Sequence, residues 1–138
     1  MSSVPFHYVD LRAFSYDTEV DDRVESAIRE LAPEDADVER MTSEGHTGDR
    51  IVVLSTRLER ADEIRHVLAR LRDGVDADRI RAELDDRIDD NNSLFVHLDK
   101  QAAYEGEVRL GEGLSLRAKV EAYPATREAA IENAREAL

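Results

Sequence analysis

The spacing of apolar residues switches repeatedly between two periods along this 138-residue chain. Residues 6–16 and 50–60 follow the two-residue alternation of strands that bury one face. Between and after them, apolar residues recur every three or four positions, which is typical of helices that pack on a core. The clearest helical stripe consists of Ile64, Val67, Leu68 and Leu71. A chain patterned in this way combines helices with a sheet.

The predicted order of elements is β-α-β-β-α-α-β-β-β-α. The chain has no internal repeat, low-complexity tract or linker, so residues 1–138 are expected to form a single domain. We predict an α+β fold in which a mixed β-sheet carries helices on one face. The strands are expected at residues 6–16, 38–43, 50–60 and 94–98, with a final hairpin of residues 108–110 and 114–122, and the last helix is expected to begin at Pro124.

The charge is strongly acidic, with 32 acidic against 19 basic residues and a net charge of −13. Only Lys100 and Lys119 are lysines; the other bases are arginines. An acidic, lysine-poor surface suits molar salt, where a Debye length of about 3 Å removes most self-repulsion. The alternative is a protein that binds a basic partner. Salt adaptation is favoured because the acids are spread over many segments.

Several classes of site are missing from the sequence. The chain has no cysteine, which excludes disulfides, a cysteine-ligated zinc and a cysteine nucleophile. Residues 51–56, the longest uncharged apolar stretch, are too few to span a membrane, and no signal peptide is visible. The four histidines lack metal-ligand spacing, and no phosphate-binding glycine motif is present. We therefore expect a soluble cytoplasmic protein that is not an enzyme and holds no metal or cofactor.

If helices cover one face of the sheet, the alternation of each strand identifies the side chains on the other face. Rings and guanidinium groups on an open sheet bind single-stranded RNA by stacking. Alternatively, the same face could form a homodimer or a minor core in which the arginines make ion pairs. The outward residues with suitable side chains are Tyr8, Arg12, Phe14, Arg57, Phe95, His97, Arg117 and Lys119.

Three further features add candidate RNA contacts. Residues 50–72 carry six arginines against three acids, which makes this the one basic stretch and adds Arg60 to the candidates. Pairing of these arginines with acids of neighbouring helices is the alternative. After the fourth strand, Asp99 can cap a turn that presents Lys100 and Gln101 to a phosphate, or the turn can be an ordinary capped one. His46 lies in a glycine-flanked loop and is the last candidate.

Four segments carry a family resemblance: His-Tyr-Val-Asp-Leu-Arg-Ala-Phe (7–14), Ser-Glu-Gly-His-Thr-Gly (43–48), Leu-Asp-Lys-Gln-Ala-Ala-Tyr (98–104) and Val-Glu-Ala-Tyr-Pro-Ala (120–125). In these the chain resembles an archaeal family of exosome-linked RNA-binding proteins, whose members are similar in fold to the 5S-rRNA-binding ribosomal protein. The resemblance covers essentially the whole chain. It implies a non-catalytic role in RNA binding and an association with RNA-processing machinery, but it supplies no residue-level site.

These observations give one hypothesis and one alternative. The hypothesis is a salt-adapted protein that binds single-stranded or structured RNA without catalysis and works with RNA-processing or exosome proteins. The alternative is a protein-interaction or dimerisation subunit that does not touch RNA. In molar salt the affinity must come mainly from stacking, because four phosphate contacts would lose about four decades of affinity between 0.1 M and 3 M.

Overall fold

The computed structural model describes residues 4–44 and 48–138, and it confirms the α+β class. This part of the chain contains five strands and six helices. In chain order they are β1 (Phe6–Ser15), α1 (Asp21–Arg29), β2 (Glu39–Glu44), β3 (Arg50–Leu58), α2 (Ala61–Arg72), α3 (Ala77–Ala82), α4 (Leu84–Arg87), β4 (Ser93–Asp99), α5 (Lys100–Tyr104), β5 (Gly113–Val120) and α6 (Arg127–Ala137).

The strands form one sheet in the order β2-β3-β1-β5-β4, with β1 at its centre. Every neighbouring pair of described strands is antiparallel. The predicted mixed sheet is therefore wrong. The error arises because a two-residue period identifies a strand and its buried face but says nothing about the direction of its neighbour.

The predicted strand at residues 108–110 is also wrong, and the order of elements changes accordingly. Its backbone groups bond elsewhere: the Leu110 N–H donates to Asp76 Oδ2 at 2.8 Å, and the Val108 carbonyl accepts from the Val75 N–H at 3.2 Å. Within the described chain, the β-pairing of this segment is limited to a single antiparallel bridge between Leu110 and Leu98. The segment also bonds to the end of β4, where the Arg109 carbonyl accepts from the Asp99 N–H at 2.9 Å. It cannot form a hairpin with β5, because β1 and β4 already occupy both sides of that strand.

Two other corrections concern helices. The last helix begins at Arg127 and not at Pro124, because Thr126 is its N-cap and its hydroxyl accepts from the Ala129 N–H at 3.2 Å. The turn predicted after β4 is a short helix, α5, and Asp99 caps it as expected: its carboxylate accepts from the Ala102 N–H at 2.8 Å.

The core lies between one face of the sheet and the helices. On β1 the side chains of Val9, Leu11 and Ala13 are buried, and they join a single cluster with the buried side chains of the helices, such as Ile28. The same alternation holds on β3, β4 and β5, whose inward residues were predicted correctly. No helix of the described residues covers the opposite sheet face, most of whose side chains are exposed or half-buried. Among the described helices, none has both the length and the apolar content needed to cross a membrane.

One partly buried contact connects the end of β1 to the start of α1. The Ser15 hydroxyl donates to Asp21 Oδ1 at 2.7 Å, and Arg50 pairs with Asp21 Oδ2 at 2.7 Å. The hydrogen bond from Ser15, together with the positive charge of Arg50, holds the pKa of Asp21 below its ordinary value of 3.8. A lowered carboxyl pKa stabilises the fold above the pKa of the unfolded state, and this stabilisation is lost as the pH falls through the folded pKa.

Asp21→Asn is accordingly expected to lower the free energy of unfolding at pH 7, and to lower it less at pH 3. That pH lies below the ordinary carboxyl pKa of 3.8, so part of the stabilisation from Asp21 is already lost there. Urea denaturation at the two pH values and one salt concentration measures the difference. An equal loss at both pH values would contradict an electrostatic role for Asp21.

Candidate nucleic-acid interface

The uncovered face of the sheet carries its side chains in cross-strand rows, which the strand register defines. One row contains Arg57, Asp10, Arg117 and Phe95, from β3, β1, β5 and β4. The next contains Ser55, Arg12, Ser115 and His97. Phe14 lies beside Val53 on one side of these rows, and Tyr8 lies beside Lys119 on the other. We call these twelve side chains the open face.

Arg57 is held by two neighbours on this face. Its Nε and Nη2 donate to the two carboxylate oxygens of Asp10, at 2.8 and 2.9 Å, and these bonds raise the pKa of Arg57 above its ordinary value. Its guanidinium carbon lies 4.1 Å from the centre of the Tyr8 ring. The ion-pair alternative therefore holds for Arg57. The pair with Tyr8 nevertheless leaves a flat, half-exposed stack on the surface.

Arg12 and Arg117 differ from Arg57, because no carboxylate among the described residues pairs with either of them. Their guanidinium carbons lie 5.3 Å from the Phe14 ring and 5.8 Å from the Phe95 ring. Within residues 4–44 and 48–138, neither guanidinium group makes a hydrogen bond or an ion pair. The two phenylalanine rings are each 37% exposed. Each pair thus presents a ring and an uncompensated positive charge side by side.

The lysine and glutamine side chains that were predicted to contact RNA already form hydrogen bonds within the protein. Lys100 Nζ donates to the Phe14 carbonyl at 2.8 Å and pairs with Glu19 at 2.7 Å. Lys119 Nζ donates to a backbone carbonyl of the loop before β4, and the Gln101 amide donates to Glu105 at 3.2 Å. A phosphate contact by Lys100 would have to compete with Glu19, and it stays a prediction.

The basic stretch of residues 50–72 does not form a free positive patch. Arg50, Arg57, Arg60 and Arg70 pair with Asp21, Asp10, Asp62 and Glu30, respectively. Arg60 follows β3 directly before α2 and is not one of the open-face residues. Two of these acids, Asp21 and Glu30, belong to the neighbouring helix α1 and its C-cap, as the alternative expected. The other two differ from it, because Asp10 lies on β1 and Asp62 lies on α2 itself.

One predicted RNA contact lies outside the described residues, and two surface features were not predicted from the sequence. His46 lies outside the described residues. Met41, which is 71% exposed on β2 beside Val53, extends the apolar part of the face and was not predicted. Nor was the contact between Arg23 of α1 and Tyr104 of α5. No local pattern could have shown it, because it depends on how two distant helices pack.

The described residues contain no group of three or more histidine or acidic side chains that could hold a metal ion.

Fold and surface together define an α+β domain whose antiparallel sheet leaves one aromatic, arginine-bearing face uncovered. Over residues 8–121 the sequence matches the profile of the family described as RNA binding. The chain belongs to that family.

Relatives and solved structures agree with this assignment. The chain is 30% identical to an RNA-binding protein of Pyrococcus abyssi, over 96% of this chain and 93% of the relative. The structure of a DUF54 protein from Methanothermobacter thermautotrophicus is similar with a TM-score of 0.80 and 41% identity, over 96% of this chain and 98% of that one. A protein from Archaeoglobus fulgidus has a TM-score of 0.85 and 33% identity, over 96% and 99% of the two chains.

Proposed function

We propose that this protein binds single-stranded RNA on the open face, without catalysis. The observation that carries the proposal is the set of three ring–guanidinium pairs on one uncovered sheet: Tyr8 with Arg57, Phe14 with Arg12 and Phe95 with Arg117. Unstacked bases bind to aromatic rings and to guanidinium planes. Family membership and the RNA-binding relative from Pyrococcus abyssi support the same conclusion.

Stacking is proposed as the main source of affinity. Most basic side chains of residues 50–72 are paired with acids, and the whole chain carries a net charge of −13. A protein of this charge repels a polyanion unless salt screens the repulsion, while base stacking, worth about 1–3 kcal/mol per base, survives high salt. We propose that the protein is adapted to molar salt, and that its RNA binding persists there.

Arg12→Ala and Arg117→Ala are each expected to weaken RNA binding about fivefold, the equivalent of about 1 kcal/mol, because each removes an unpaired guanidinium beside a ring. Fluorescence anisotropy of labelled single-stranded RNA at about 0.2 M and 2 M KCl measures this, with circular dichroism to verify folding at both salts. Arg81→Ala is the matched control, because Arg81 is an exposed arginine of α3, away from the sheet. An unchanged affinity in both variants would reject the open face as the RNA site.

The competing function, a protein-interaction or dimerisation subunit, predicts a different result. Wild-type protein that is folded but binds no RNA, and whose mass in light scattering rises with concentration, would favour it. In that case Phe95→Asp would abolish the association, because Phe95 lies exposed on the open face. A monomer that binds RNA at both salts would reject it.

We further propose, from the resemblance carried by residues 7–14 and 98–104, that the protein associates with RNA-processing machinery such as the exosome. The same resemblance suggests a fold like that of the 5S-rRNA-binding ribosomal protein. Affinity purification of the tagged protein from archaeal cells, with and without nuclease, tests the association. Exosome subunits that remain after nuclease treatment would support a protein contact, and their absence in both samples would contradict it.

A further inference from the structure

The aromatic surface continues beyond the end of β1. The Phe14 ring on the open face stacks with the ring of Tyr16, with 6.4 Å between ring centres and 27° between ring planes. Tyr16 is 50% exposed, and Lys100 Nζ lies 5.4 Å from the centre of its ring. The rings therefore lead from the sheet, past the end of β1, to the place where α1 and α5 meet.

A pocket of about 200 Å³ lies at that place. One wall is apolar and open to solvent, since Val20 is 54% and Tyr104 is 40% exposed. The guanidinium carbon of Arg23 lies 5.5 Å from the centre of the Tyr104 ring. The lining residues are Thr18, Glu19, Val20, Arg23, Val24, Lys100, Gln101 and Tyr104.

The two cations of this pocket differ in their availability. Lys100 is bonded to Glu19 and to the Phe14 carbonyl, and only 17% of its side chain is exposed. Within the described part of the chain, the Arg23 guanidinium group makes no hydrogen bond or ion pair, only its contact with the Tyr104 ring. Lys100 therefore fixes α5 to the end of β1, while Arg23 keeps an uncompensated charge at the pocket.

A guanidinium group over an aromatic ring is the same combination that the open face repeats three times. It suits a flat base with a phosphate next to it. The pocket is smaller than the 300–1,000 Å³ or so of a site for a drug-sized ligand, which limits it to about one base. Its continuity with the open face through Tyr16 favours a base of the strand that already lies on the sheet.

We propose that the pocket between α1 and α5 receives one unstacked base of the bound RNA, which stacks on Tyr104 beside Arg23. This inference rests on the proposed function. It predicts that RNA long enough to leave the sheet and reach the pocket binds more tightly than RNA that covers the sheet alone.

The first experiment compares two single-stranded RNAs of about four and about ten nucleotides, within the range that one single-strand-binding domain covers. Tyr104→Ala and Arg23→Ala are each expected to weaken binding of the longer RNA about five- to tenfold and to leave the shorter one unchanged. The matched controls are Tyr123→Ala and Arg81→Ala, which remove an exposed ring and an exposed arginine elsewhere. They are expected to change neither affinity.

A second measurement reads the pocket directly. The chain has no tryptophan, so Tyr104→Trp introduces a single indole fluorophore at the pocket. Its emission is expected to be quenched by the longer RNA and not by the shorter one, while that of Tyr123→Trp should respond to neither.

The outcomes separate the pocket from the proposed function. If wild-type protein binds both RNAs equally, or if the pocket variants behave like wild type, the pocket proposal is overturned while binding on the open face stands. If folded wild-type protein binds neither RNA, both proposals fail. Tighter binding of the longer RNA that disappears in Tyr104→Ala and Arg23→Ala confirms the pocket.

Discussion

Replacing Tyr8, Phe14 and Phe95 together with alanine is expected to weaken the binding of single-stranded RNA at least about 100-fold. Each ring offers one base a stacking partner worth about 1–3 kcal/mol, and about 1.4 kcal/mol corresponds to a tenfold change in affinity. The fold-loss should be similar at about 0.2 M and 2 M KCl, because stacking survives high salt. It should be a larger share of the total binding free energy at about 2 M, where phosphate contacts contribute little. Anisotropy titrations at two salt concentrations measure both effects.

The controls for this triple variant address folding and position. Tyr8 is half-buried beneath Arg57, so the thermal unfolding of the variant must be followed by circular dichroism. Tyr123→Ala removes a ring that is 84% exposed outside the open face, and it should leave the affinity unchanged. A folded triple variant with wild-type affinity would show that the open face takes no part in RNA binding.

The largest expected effect on stability comes from Leu11→Ala. Leu11 is fully buried on β1, the central strand, where it lies between Thr56 of β3 and Leu116 of β5. Truncation removes apolar contacts and leaves a cavity that neighbouring strands cannot close, which costs about 2–5 kcal/mol. Urea denaturation should show a lower midpoint with an unchanged slope.

Val75→Ala is the comparison for this substitution, since Val75 is 67% exposed in the loop before α3. Its effect should stay within about 0.5 kcal/mol. A cost below about 1 kcal/mol for Leu11→Ala would contradict a core centred on β1.

Much of the open face was predictable from alternation alone. Along β4, Leu94, Val96 and Leu98 are buried while Phe95 and His97 are exposed, as their two-residue spacing predicts. The same reasoning placed Arg12 and Phe14 of β1 outward. These predictions succeed because successive side chains of a strand must point to opposite faces, so one buried face determines the other.

Which of the charged side chains form ion pairs was not predictable in the same way. Arg57 and Arg117 occupy equivalent outward positions in one cross-strand row, and both lie opposite Asp10. Of these two arginines, the Asp10 carboxylate pairs with Arg57, in a two-point contact, which leaves Arg117 beside the Phe95 ring. Both pairings have the same sequence signature, so the geometry of the side chains had to decide between them.

Features that depend on one segment of the chain could be predicted from the sequence, whereas features that depend on contacts between distant segments could not. The period of apolar residues established the strands, the buried faces and the outward positions of Tyr8, Phe14 and Phe95, because burial acts on each segment separately. Strand direction, the loss of the 108–110 strand and the meeting of Arg23 with Tyr104 depend on which distant segments share hydrogen bonds and contacts. Those choices arise only when the whole core closes, because the competing partners lie far apart along the chain.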